Sequence, residues 1–196
     1  MEEMDIMHKT EFEKKWMGLW EEHVTWTRLA IISMVDIQDA KETEATVNRL
    51  LRNSKDMAEV CKMFYGDEVA GKFDELMTEH LSVAAELVQA AVAGDNDKAG
   101  DAEKRWYQNA DEIAATLNSL NPNWKEKEFK DMLYEHLKQT KDEAVYRITK
   151  DYEKDVPNYD EIEKMARMMA DGFSHGIMMQ FPDKFHEKRK HFWQRM

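Results

Sequence analysis

The chain has 196 residues, of which 42% are hydrophobic and 35% charged, with a formal net charge of −12. This is the composition of a globular chain, long enough for one sizeable core, and its acidity argues against non-specific nucleic-acid binding, which needs Lys and Arg against phosphates. The single cysteine, Cys61, excludes an intramolecular disulfide and a Cys-based zinc cluster.

Apolar residues recur at helical spacing along almost the whole chain, and no alternating strand pattern interrupts them. The opening segment "MEEMDIMHKTEFEKKW" is acidic and lacks the apolar core of a secretory signal. The first helix is expected after Thr10, with Phe12, Trp16, Leu19, His23, Trp26, Ala30 and Met34 in steps of three and four. The longest apolar run, "LAIISMV", falls far short of a membrane span, so a cytoplasmic protein is expected. The polar "DIQDAKETE" connects to a second helix carrying Val47, Leu50, Leu51, Met57, Cys61 and Phe64, which stops at Gly66.

A third helix places Val69, Phe73, Leu76, His80, Val83, Leu87 and Ala91 on one face and ends at "AGDND". A fourth aligns Ala102, Trp106, Asn109, Ile113 and Leu117 up to the loop "NPNW". A fifth aligns Phe129, Leu133, His136, Thr140, Ala144 and Ile148. Pro157 in "KDVPNYDE" is expected to separate it from a sixth helix running from Asp160 to about Gln180. The expected fold is therefore all-α, an up-and-down bundle of about six helices in a single domain spanning residues 1–196, with 182–196 a basic C-terminal tail. No repeat of fixed period is evident in the spacing of these elements.

Three histidines interrupt the apolar stripes. His23, His80 and His136 each sit about 13 residues into their helix, and Asn109 about 14, which at 1.5 Å per residue is roughly 20 Å along helices of roughly 35–40 Å. A mid-height residue keeps its level whether its helix runs up or down, so the four side chains are expected to meet in one central layer. A buried imidazole without a partner costs on the order of 1–3 kcal/mol, so one polar group per helix at one depth suggests mutual satisfaction. Three neutral imidazoles are a ligand set for a transition metal ion, with zinc, iron or manganese the candidates, and Asn109 is placed to bond a metal-bound water. A shared core network of hydrogen bonds is the competing account of the same residues. Each histidine follows a glutamate (Glu22, Glu79, Glu135), but successive helix positions point about 100° apart. These glutamates are expected at helix seams, not as ligands.

Other constellations carry weaker signals. Asp171 and His175 stand i, i+4 apart on the sixth helix and are further candidate metal ligands. With 15 Met in the chain, and Met168 and Met179 near the same face, a copper site is an alternative. Six Trp allow an aromatic-lined pocket for a flat ligand such as haem, against a default of core packing. Arg28 is placed to reach a buried carboxylate, and Arg52 and Asp56 to form an ion pair one turn apart. Asp111 is a possible acceptor for a histidine N–H.

The stretches "HVTWTR", "LLRN", "WYQNADEIA", "NPNW" and "MLYEHL" resemble those of a group of bacterial and archaeal all-helical proteins. The resemblance spans most of residues 16 to 181 and implies one helical unit without implying an activity. The expected function is a helical bundle whose central His-rich layer binds a metal or small ligand. The alternatives are an interaction or structural protein whose polar layer only fixes packing, and a carrier of haem or another aromatic cofactor.

Overall fold

The computed structural model describes residues 7–186 of the chain. Five helices account for nearly all of them: α1 (Lys9–Ile32), α2 (Ala40–Val92), α3 (Asn96–Leu120), α4 (Glu126–Thr149) and α5 (Tyr152–Gln180). The class is all-α, as the periodicity predicts, and the helices form a bundle. The count is five, not six, because the second and third expected helices join without a loop. Gly66 sits at their junction with φ 83° and ψ 178°, a conformation open essentially to glycine alone. There the chain folds back, and the arms 40–65 and 67–92 lie side by side. Ser54 Oγ donates to Asp74 Oδ1 at 2.7 Å and lies 3.0 Å from Thr78 Oγ1. The bundle therefore holds six helical rods, each antiparallel to the next in sequence.

Local chemistry explains the other boundaries. A π-helical turn, Ser33–Ile37, extends α1 until Gln38 takes a left-handed conformation. Asp39 then caps α2, accepting from the backbone N–H groups of Lys41 and Glu42. Asp95 caps α3 through the Lys98 N–H. Lys150, left-handed at φ 60°, ends α4. Pro157 does not separate two helices as the sequence suggests, and the last helix does not wait for Asp160. Helix α5 begins at Tyr152 and carries Pro157 in its second turn, while the break falls at Lys150 and Asp151. Two short strands, β1 (Met7–His8) and β2 (Phe185–His186), pair in parallel and bring the two ends of the described chain together. Most of the expected basic tail lies outside the described residues.

Consecutive rods pack against one another, and α5 packs on α1, closing the ring. The interior differs on the two sides of the histidine level. On one side it is filled by rings: Phe12, Trp16, Phe73, Trp124, Phe129 and Phe173 are buried and in mutual contact. Gly176 is the smallest piece of that packing, since a Cβ there would lie 2.0 Å from Trp124 Nε1. On the other side alanines replace the rings, and a cavity of about 280 Å³ opens.

A candidate metal centre at the axis of the bundle

The three histidine-bearing rods, α1, the second arm of α2 and α4, run in the same direction. Each presents its imidazole inward at mid-height because the residues three and four positions earlier and one position later hold that face in the core. The rings of His23, His80 and His136 are 5.6, 6.2 and 6.4 Å apart between centroids. One ring nitrogen from each lies within 4.8 Å of the others, and all three side chains are buried. The layer expected from helix register is thus present, with Asn109 beside it.

The hydrogen bonds fix how two of the rings are protonated. Asn53 Nδ2 donates to the Leu19 carbonyl at 2.9 Å, which turns its Oδ1 toward His23 Nδ1, 3.2 Å away. Asn109 repeats the arrangement: its Nδ2 donates to the Leu76 carbonyl at 3.0 Å, and its Oδ1 faces His80 Nδ1 at 3.0 Å. An amide oxygen only accepts, so both Nδ1 atoms carry the proton and donate it. The Nε2 of each ring is left with its lone pair and no protein partner among the described residues. His136 differs, since its Nδ1 is buried with no hydrogen-bond partner.

Behind these contacts lies a three-fold repetition that the sequence reading missed. His80 follows His23 by 57 residues, and His136 follows His80 by 56. Seven residues before each histidine is a buried ring: Trp16, Phe73, Phe129. The supporting asparagine follows its histidine by 30 residues in the first hairpin and 29 in the second. The residue 30 positions after His136 is Ala166, fully buried on α5 with no polar group to offer. The repeat escapes a scan for conserved letters because it preserves side-chain class and depth more than identity. Asn53 was legible only through that spacing.

The other expected site residues take different places. Asn109 stands beside the triad, where its Oδ1 accepts from His80 Nδ1. Asp171 and His175 lie on the exposed outer face of α5, away from the three rings. Met168 and Met179 are about half exposed on the same helix, at 49% and 56%. Asp111 accepts from Tyr134 and pairs with Lys130, not with a histidine. Glu22 pairs with Arg49, and Glu79 accepts from Asn109 at 3.3 Å, so both serve helix seams as expected, whereas Glu135 binds Gln139 and Lys138 of its own helix. Arg52 and Asp56 form the expected pair at 3.5 Å. Arg28 does reach buried carboxylates, binding Asp155 through two bonds of 2.6 and 3.0 Å and also pairing with Glu143. Burial pushes the Glu143 carboxyl up to about 7 despite the guanidinium beside it.

The electrostatics of the triad follow from its burial. Desolvation lowers the His23 pKa to about 4, outweighing the Asn53 bond. Desolvation, with the neighbouring His23, takes His80 to about 3. His136 is lowered well below the ordinary value by the same burial and by both neighbouring rings. All three are therefore neutral at pH 7, the form in which imidazole binds metals.

The cavity begins directly above the rings. One turn beyond each histidine stand Thr27, Ala84 and Thr140, and a second turn brings Ile31, Val88 and Ala144. Trp106 and Ala99 of α3 complete the wall. No protein-family model matches the chain, nor does any curated protein or solved structure.

Proposed function

We propose that the protein binds one transition-metal ion through Nε2 of His23, Nε2 of His80 and a ring nitrogen of His136. The observation that carries this reading is the pair of asparagines. With Nδ1 donating to an asparagine, Nε2 of His23 and of His80 is an acceptor that no donor among the described residues meets, beside a third imidazole, and a cation would satisfy it. Metal–nitrogen bonds of about 2.0–2.1 Å put tetrahedral ligands about 3.3 Å apart, so rings within 4.8 Å close on an ion with small side-chain rotations.

Three neutral nitrogen ligands suit zinc or iron(II) better than manganese(II), which prefers oxygen ligands, and leave coordination positions open toward the cavity. There an ion acts as a Lewis acid or a redox centre on a molecule held away from bulk water. The half-exposed methionines of α5 give copper no thioether in the layer. Haem fits poorly, since three converging imidazoles occupy the volume a porphyrin plane would need.

The test is metal content of protein purified without an affinity tag, followed by unfolding with and without chelator. The parent is expected to carry metal and lose stability to the chelator, by about 2.7 kcal/mol when free metal stands at 100 times its dissociation constant. In His80→Leu, which suits the stripe of Phe73, Leu76, Val83 and Leu87, the chelator effect should vanish. A parent free of metal and indifferent to chelator overturns the reading and leaves the polar layer a packing device.

A further inference from the structure

The cavity above the triad is an unusual place to find empty space. Its walls are built at helix positions where a larger side chain would fill it: Ala84, Ala85, Ala99 and Ala144 line it beside Ile31, Leu81 and Val88. The opposite side of the same bundle is packed solid with rings, so the opening is a local property of the sequence. Its volume, about 280 Å³, is about twice the ~150 Å³ that accommodates benzene in an engineered core, which sets the occupant at roughly ten to fourteen non-hydrogen atoms. A largely apolar cavity of this size favours an apolar occupant over water.

Polar groups stand at the two ends, with apolar wall between them. The three imidazoles form the floor. Thr140 Oγ1 and Trp106 Nε1, which belong to the wall near that floor, are buried and have no hydrogen-bond partner. Thr140 could bond its own helix carbonyl, as Thr27 does to His23 at 2.8 Å, and does not. At the far end the wall reaches the exposed Asn96 and Gly100, beside the Lys141–Glu103 ion pair of 2.6 Å that links α4 to α3. A molecule entering there passes a charged rim, then an apolar barrel, and meets donors and metal ligands last.

We propose that this cavity takes a small amphipathic molecule, with a straight or narrow apolar body in the barrel and one oxygen head against the triad, Thr140 and Trp106. A carboxylate is the head best matched to a divalent ion held by three neutral ligands, while hydroxyl and indole N–H groups supply donors to the same oxygen. Only the preference for a charged head rests on the metal reading. The apolar body rests on the cavity alone.

The experiment is a chain-length series by titration calorimetry, using straight-chain carboxylates and alcohols from four to ten carbons, on zinc-loaded and metal-free protein. Burying one methylene is worth about 0.8 kcal/mol, or about fourfold in affinity. Affinity should therefore rise about fourfold per carbon, and zinc-loaded protein should prefer the carboxylate of each length. Ala84→Phe, which places a ring in the barrel one turn above His80, should abolish binding of decanoate while zinc content is unchanged. Ala144→Leu, a smaller filling, should shorten the chain length at which affinity stops rising. A series without length dependence, or one untouched by both variants, overturns the proposal. Failure to take up zinc overturns the metal reading instead, and the alcohol series on metal-free protein then decides the cavity.

Discussion

Asn109 shows how much a single side chain settles at the triad. Its Nδ2 is anchored to the Leu76 carbonyl, and its Oδ1 holds the proton of His80 on Nδ1. Asn109→Ala removes both restraints, strands a buried N–H, and frees His80 to adopt the other tautomer. Urea unfolding of the metal-free variant should show a loss of about 1–3 kcal/mol. Its zinc affinity, measured by competition with a chromophoric chelator, should fall about 10- to 100-fold. An unchanged affinity would mean that the ring is held by packing alone. The three histidines and Asn109 could be read from sequence because polar residues in an apolar stripe are conspicuous and helix register converts position into height. Asn53 lies between Arg52 and Ser54 in a polar stretch, so its role could be read only from its spacing to His23, which Asn109 repeats from His80.

Among the elements, the hairpin turn inside α2 asks most of one residue. Gly66 at φ 83°, ψ 178° lets two helices join without a loop. Gly66→Ala should cost about 1–3 kcal/mol, because a Cβ makes that backbone conformation unfavourable, although the space around it is open. The urea midpoint of the variant measures this; an unchanged midpoint would show that the turn relaxes into a neighbouring conformation. The sequence marked Gly66 as a stop but did not show that the next helix starts at once, because a cap signal locates an end and not the length of the following loop. Pro157 misled for a related reason. A proline early in a helix removes few hydrogen bonds, so it marks a first or second turn as readily as a boundary.

For the whole molecule, pH reports the buried groups together. The folded pKa values of His23 and His80 are lowered to about 4 and about 3, and that of His136 is lowered too. Their contribution is fully present above the unfolded value of about 6.5 and is lost as pH falls toward the folded values, because the unfolded chain then takes up protons the folded one refuses. Glu143 acts oppositely: its pKa is raised to about 7, so the folded state gains from its proton below that value. Three groups against one leave a net loss of about 2 kcal/mol for metal-free protein between pH 7.5 and 5.5, read as a drop in urea midpoint. A midpoint that holds or rises would show that the imidazoles are solvated. Bundle class and central layer were legible because both follow from periodicity. The cavity was not, since it depends on which alanines face one another across helices distant in sequence.

The three-fold layout also sets an order in time. His23 and His136 are 113 positions apart, and each of the three hairpins contributes a single imidazole. No fragment made of two hairpins contains the complete site. A ribosome adding about 5–20 residues per second needs roughly 3–11 seconds for the 56 residues between the second histidine and the third. During that interval the growing chain holds at most two of the three imidazoles. The triad is therefore complete only once the third histidine-bearing helix has been made, and no earlier fragment of the chain presents all three imidazoles.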